Sequence, residues 1–172
     1  MPVSSNVRRQ FNPLPSGNFH RALSIMRSAS PFEVRRATED DLRLVNKVRI
    51  SLNISPIAVH HILSSYKFSL VAESNKAILG YVTLRFPCTS PPYDEVELEQ
   101  LFVSSASHRN GVGSSLLDQA EHYVILSTAA KRLILRVSKE FKSAQSLYLK
   151  SGYLVTKQEE LGYHMAKQLV RT

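Results

Sequence analysis

The order of its segments predicts an α/β (α+β) domain in which a mixed sheet carries helices on both faces. Segments of alternating apolar residues, typical of strands, are interspersed with segments whose apolar residues recur every three or four positions. Ser74-Asn75-Lys76 separates two strand-like segments and is a hairpin signal. The resulting order is strand, two helices, three strands, helix, strand, helix, two strands.

Each element has its own local signal. Thr38 and Asp41 form a capping box before a helix that turns Leu42 and its periodic neighbours inward. Ser55-Pro56 predicts the start of a second helix, running through residue 63. Residues 132–137 are interpreted as a compact buried strand, and Gly152 ends the last helix. The predicted strands are residues 32–36, 68–73, 77–86, 95–103, 132–137, 153–156 and 161–169.

Length and composition indicate one globular domain with an extension. The 172 residues are 43% hydrophobic and 21% charged, which suffices for a substantial core. Residues 1–31 are interpreted as a flexible extension because Ser, Arg, Asn and Pro dominate them, and residues 32–172 as the domain. Residues 1–28 fit an organelle transit peptide and a disordered cytosolic tail equally well. The expected location is the cytoplasm, or a mitochondrion or other organelle if those residues are a transit peptide.

Several function classes are disfavoured. No apolar run approaches the roughly 20 residues that cross a membrane. The lone Cys88 excludes an internal disulfide, and His60-His61 lacks the spacing and acidic partner of a metal site, so no metal is expected. Half of the formal charge of +8 lies in residues 1–32, which contain four arginines and no acid. The remaining excess is modest and lacks an arginine-lysine run with aromatics, which argues against nucleic-acid binding.

The most informative stretch is residues 101–117, LFVSSASHRNGVGSSLL. An apolar strand runs into a polar loop, and Gly111-Val112-Gly113 then opens a helix. The free N–H groups at a helix N-terminus bind phosphate well, and glycine lets the ligand approach the backbone. An ordinary tight loop with glycines placed for packing is the alternative.

This stretch resembles the central motif of the GNAT superfamily of acyl-CoA-dependent N-acyltransferases. That motif is a Leu-x-Val strand, a loop, and Arg/Gln-x-x-Gly-x-Gly/Ala opening a helix. Here Leu101-Phe102-Val103 precedes His108-Arg109-Asn110-Gly111-Val112-Gly113, with His108 at the Arg/Gln position and Ser105 where proline is frequent. A second segment, from Ala144 through Tyr148 to Gly152-Tyr153, is similar to the family's Ala-x-x-x-Tyr-x-x-x-Gly-Phe ending.

The resemblance implies a mostly antiparallel GNAT-type sheet and acetyl-CoA as co-substrate. It implies that backbone N–H groups near Leu101 and Val103 hold the pantetheine and polarise the thioester carbonyl. The amides and side chains at the start of the helix would then bind the diphosphate. The expected cofactor-binding residues are Leu101, Phe102, Val103, His108, Arg109, Asn110, Gly111, Val112, Gly113 and Ser114.

Acyl transfer to an amine also needs a base and an acid. Glu97 and Glu99 point the same way from one strand, and their mutual repulsion makes it easier for one of them to hold a proton. A solvated sheet face, or a surface attracting a cationic acceptor, is the alternative for these acids. The resemblance makes Tyr148 the donor of a proton to the leaving thiolate, and the alternative is a tyrosine that packs a helix onto the sheet.

The sequence therefore predicts an N-acetyltransferase that transfers acetyl directly from acetyl-CoA to a primary amine of a small molecule or protein. The competing hypothesis is a catalytically inactive CoA-binding regulatory module, which His108 and Phe141, at positions where the family carries other residues, favour. A third hypothesis is a basic domain associated with RNA or DNA. A homodimer stays open as the assembly.

Overall fold

A seven-stranded sheet forms the centre of the molecule. The computed structural model describes residues 31–88, 92 and 94–171. The sheet has the order β1-β2-β3-β4-β5-β7-β6, and every neighbouring pair is antiparallel except β4 and β5, which are parallel. The predicted extension, residues 1–31, lies outside the described residues except for its last position. The strands are β1 Glu33–Arg36, β2 Lys67–Ser74, β3 Ala77–Arg85, β4 Glu95–Val103, β5 Arg132–Ser138, β6 Leu154–Gln158 and β7 Gly162–Gln168.

Three α-helices of the described chain cover the sheet, and they lie on both of its faces. Helix α1 is Leu42–Ser51, α2 is Val112–Ser127 and α3 is Lys142–Lys150. Helices α2 and α3 pack on the larger core, which contains Leu116 and Tyr148, whereas α1 packs on a smaller core around Val45 and Tyr81. The mixed, mostly antiparallel sheet with helices on both faces confirms the predicted fold class.

The predicted second helix at residues 55–63 is wrong. The chain there forms a loop with one 3-10 turn, Val59–His61. Asn46 of helix α1 explains the difference, because its side chain bonds both backbone groups of Ile57: Nδ2 donates to the carbonyl at 3.0 Å and Oδ1 accepts from the N–H at 2.9 Å. These bonds take the backbone groups that a helix would use.

Strand β4 contains a bulge that decides which side chains face which core. Leu98 pairs with Leu84 and Gln100 pairs with Thr83, so Glu99 has no partner in β3. The extra residue reverses the alternation. Gln100 therefore does not share the face of Val96 and Leu98, as simple alternation along the strand predicts, and contacts Tyr81 in the smaller core instead.

Strand β5 is buried on one face only, which corrects its interpretation as a compact buried strand. Leu133, Leu135 and Val137 are buried, whereas Arg132 and Arg136 on the other face are exposed. None of the three helices covers this face of β5, so its charged side chains border the site described below.

Candidate active site

The parallel strands β4 and β5 part beyond Leu98. Their pairing runs only from Glu95 opposite Arg132 to Leu98 opposite Leu135. The N–H of Ser104 donates to Leu79 on the β3 side at 2.7 Å. Since backbone groups of successive strand residues point to opposite edges, those of Leu101 and Val103 point into the gap. An extended ligand with amide groups can pair with this edge.

Helix α2 begins beside the end of β4. Gly111 precedes the helix with φ +77° and ψ −2°, and a Cβ built there has open space, with nothing within 4 Å. No side chain of the described residues caps the first turn of the helix. The N–H groups of Val112, Gly113 and Ser114 therefore remain available to an anion. Arg109, in the preceding loop, also has a left-handed backbone, with φ 63°.

The predicted cofactor-binding residues differ in what they can offer. His108, Arg109, Asn110, Gly111 and Ser114 are exposed around the start of α2. Val112 is buried and could contribute only its backbone. Gly113 lies deeper, where an added Cβ would come within 3.3 Å of Leu147 and 3.6 Å of Val103.

Two of these residues have specific contacts. His108 Nε2–H donates to the Val103 carbonyl oxygen at 3.0 Å, so this nitrogen lies at the strand edge rather than at the helix start. The Phe102 side chain faces the smaller core, with its ring centroid 5.6 Å from that of Tyr81. The backbone groups of Phe102 face β3, where this residue pairs with Tyr81, so neither its ring nor its backbone points into the gap. The assignment of these ten residues to cofactor binding stays a prediction.

Tyr148 of helix α3 lies in the larger core with 5% of its surface exposed, and its ring centroid is 5.7 Å from that of Tyr153. Burial raises the pKa of Tyr148 to about 12. The hydroxyl therefore stays protonated at neutral pH, as an acid must. The same burial fits a packing role, so its catalytic role stays a prediction.

Glu97 and Glu99 face cations rather than each other. Arg85 Nη2 bonds Glu97 Oε2, and Arg136 Nη2 lies 3.5 Å from Glu97 Oε1. Lys67 Nζ donates to Glu99 Oε2 at 2.6 Å. The mutual repulsion expected from the sequence is therefore offset by neighbouring positive charges, and the assignment of the base stays a prediction.

Glu97 also lines an open depression on the α1 face of the sheet, in a part of that face that none of the three helices covers. We call it the charged groove; its volume is about 480 Å³. It spans β3, β4, β5, β6 and β7 and lies beside the point where β4 and β5 part. Glu99 is not among its lining residues. These are Arg85, Glu95, Glu97, Arg132, Ile134, Leu135, Arg136, Thr156, His164, Met165 and Ala166.

Sequence reasoning missed most of this groove. Arg136 and His164 are opposite each other on β5 and β7, although they are far apart in the chain. Arg132 and Arg136 lie four positions apart, which places them on one face of a strand, and His164 and Ala166 flank Met165 in the same way; these signals were available in the sequence. Only the sheet order reveals that these faces adjoin Glu97.

A buried arginine was missed as well. Arg49 of helix α1 is 7% exposed and forms no ion pair with a carboxylate in the part of the chain that the structure describes. Its Nη1 donates to the Tyr81 hydroxyl at 2.7 Å and lies 3.3 Å from Gln100 Oε1, and its Nε donates to the Ser55 carbonyl at 2.7 Å. Arg49 thus joins helix α1 to the second half of β4.

Two other classes of site find no support in the described part of the molecule. Among the described residues, no three His, Cys, Asp or Glu side chains are grouped so that they could hold a metal ion. None of the helices within the described ranges has the length and apolar character that crossing a bilayer requires.

Solved structures share this fold. An acetyltransferase of the GNAT family from Streptococcus pneumoniae has a TM-score of 0.67 and 22% identity over 81% of this chain and 99% of its own. The PaiA N-acetyltransferase from Thermoplasma acidophilum, solved with coenzyme A, has a TM-score of 0.66 and 17% identity over 80% of this chain and 98% of its own. The ribosomal-protein-S18-alanine N-acetyltransferase from Escherichia coli has a TM-score of 0.68 and 14% identity over 82% of this chain and 96% of its own. No curated protein sequence matches the chain.

The fold is thus that of an acetyltransferase domain, and the sequence defines the family. The model of the acetyltransferase (GNAT) family matches residues 33–153, well over half of the chain. The chain belongs to the GNAT acetyltransferase family and is an acyltransferase. This confirms the resemblance drawn from the glycine motif. Proteins of this family transfer acetyl groups from acetyl-CoA to amine acceptors.

Proposed function

We propose that this chain is an N-acetyltransferase that transfers acetyl directly from acetyl-CoA to a primary amine of a small molecule or a protein. The observation that carries the proposal is the juxtaposition of the free edge of β4 with the uncapped start of helix α2. The open space at Gly111 and the lack of a side-chain cap among the described residues fit a diphosphate. When bound, acetyl-CoA supplies the activated acetyl thioester.

The backbone supplies binding and polarisation. The N–H groups of Leu101 and Val103 point into the gap, where they can orient an extended ligand and donate to a carbonyl oxygen. Donors fixed in a strand cost little reorganisation when negative charge develops on that oxygen. The first-turn amides of helix α2 hold the charged end of the ligand.

Side chains supply the proton transfers. Glu97 borders both the gap and the charged groove, so an amine in the groove can hydrogen-bond its carboxylate and lose a proton to it. Tyr148 holds a proton at its hydroxyl across the whole neutral range, because burial raises its pKa to about 12. That proton is available to a departing thiolate.

The test is thiol release by the full chain from acetyl-CoA with a panel of primary amines, covering amino acids, polyamines and peptides with free N-termini. We expect thiol release that depends on at least one amine, with the acetylated amine found by mass spectrometry. Binding of CoA by calorimetry without any amine-dependent release would instead support the inactive CoA-binding module. Absence of CoA binding would overturn both.

A further inference from the structure

The charged groove has an excess of positive charge. It contains three arginines, Arg85, Arg132 and Arg136, and two carboxylates, Glu95 and Glu97. Arg132 pairs with Glu95 at one end of the groove. Glu97 therefore lies between the two remaining arginines, Arg85 on β3 and Arg136 on β5.

Arg136 is the arginine with unused donors. Its side chain is 68% exposed, and its ion pair with Glu97 is long, at 3.5 Å. No other polar contact of its guanidinium is formed within the described ranges. Since a guanidinium offers several N–H donors in a planar fork, Arg136 can take a carboxylate through two of them.

From this arrangement we propose that the acceptor is a small aliphatic primary amine that also carries a carboxylate, and that Arg136 is its specificity-determining residue. The inference rests on the proposed function. When such an acceptor binds, its ammonium group replaces Arg136 beside Glu97, and its carboxylate replaces Glu97 beside Arg136. One long ion pair is exchanged for two, and no charge in the groove loses its partner.

The remaining lining fits the rest of such a molecule. Ile134 and Ala166 are half-buried and give the groove an apolar floor between its charged side chains. A polyamine would bring several cations beside three arginines, which like-charge repulsion disfavours. Groove shape and charge therefore favour an amino-acid-like acceptor over a polycation.

The experiment compares acids with their uncharged analogues. Glycine, L-alanine and L-leucine are each assayed against the matching amide, glycinamide, L-alaninamide and L-leucinamide, with acetyl-CoA and thiol detection. We expect kcat/KM for at least one acid to exceed that for its amide by ~10-fold or more, mainly through KM. In Arg136→Gln that ratio falls to about one, and Arg136→Lys restores part of it.

A matched control and a binding measurement make the result independent of turnover. Arg43→Gln removes the same charge from helix α1 outside the groove and should keep the acid preference. Calorimetry in the presence of CoA should show that the preferred acid binds the original chain and not Arg136→Gln. The inference is overturned if no acid is preferred or bound, or if the preference survives in Arg136→Gln. CoA binding and activity with other amines would leave the proposed function intact in that case.

Discussion

The two halves of strand β4 differ in how they are paired and in which chemical groups they expose. From Glu95 to Leu98 the strand is paired on both edges, and its polar side chains point into the charged groove. From Gln100 to Val103 it is paired with β3 alone, and the backbone groups of Leu101 and Val103 face the gap. The first half offers side chains and the second offers main-chain groups. On the proposed function, acceptor choice depends on particular side chains, whereas cofactor binding depends on where the backbone is left free.

The largest expected effect tests the site formed by main-chain groups, at the second half of β4 and the start of helix α2. Gly111→Val should abolish CoA binding in calorimetry, because a branched side chain strains the left-handed backbone by about 1–2 kcal/mol and fills the space before the first amides of α2. Gly152→Val is the matched control, since Gly152 also has a positive φ, of 88°, but ends helix α3. That variant should lose stability and keep CoA binding. Retained micromolar affinity in Gly111→Val would contradict the proposed phosphate site.

The next largest effect tests the carboxylate side chains of β4. Glu97→Gln should lower kcat by roughly 100-fold, because the amide cannot accept the proton of the amine. Glu99→Gln should lower it only a few-fold, as Glu99 bonds Lys67 and does not line the groove. Steady-state kinetics at saturating acetyl-CoA measures both. Equal losses in the two variants would remove the distinction between these carboxylates.

A smaller effect is expected where helix α3 meets the core. Tyr148→Phe should lower turnover by about 10-fold or more with acetyl-CoA affinity little changed, because only the proton donor is removed. Tyr153→Phe is the control: Tyr153 is also buried and contacts Tyr148, but it lies beyond the end of helix α3 and faces the Glu121 carboxylate. Unaltered turnover in Tyr148→Phe would leave this tyrosine with a packing role alone.

The smallest effect on activity is expected far from both halves. Arg35 donates two hydrogen bonds of 2.8 Å to Asp41, and its guanidinium holds the pKa of that carboxyl below the usual 3.8. A lowered pKa stabilises the fold above pH 3.8, and this contribution is lost as the pH falls through the folded value. Asp41→Asn should therefore lose about 1–3 kcal/mol of stability at pH 7 and progressively less below pH 3.8, with kcat unchanged.

Thermal unfolding at pH 7 and pH 3 measures this difference. Glu39→Gln, in the same turn but exposed, serves as the control and should change little at either pH. A Tm difference between Asp41→Asn and the original chain that is as large at pH 3 as at pH 7 would show that the charge of Asp41 is not the cause.

Local signals predicted the elements that depend on local sequence. The hairpin at residues 74–76, the capping box at Thr38 and the helix after Gly111 were all found, because each depends on residues close in the chain. The second helix was wrongly predicted because Asn46, eleven positions away, takes the backbone groups of Ile57. A partner at that separation leaves no periodic trace.

The residues of the candidate site also divide into those that local sequence identified and those that it did not. The glycines, Tyr148 and Glu97 could be named because they fall in contiguous motifs. Arg85, Arg136 and His164 could not be placed beside Glu97, since they come from three other strands whose register with β4 depends on residues distant in the chain, and β7 precedes β6 in the sheet. The partners of Glu97 and Glu99 were unknown for the same reason, and the sequence could not show that cations offset the repulsion between them.

Glu99 has no partner in β3, so the number of residues in β4 decides, as much as their identity, which side chains and amides face the core and the gap. Removing one residue between Glu99 and Val103 would restore an unbroken register with β3. The side chains of Leu101 and Val103 would then turn towards helix α1, and their amides would turn towards β3. The larger core would lose these two side chains, and the gap would lose the N–H groups that line it. We therefore expect this segment to tolerate many substitutions but no insertion or deletion, a constraint that any grafting or loop-shortening of this domain must respect.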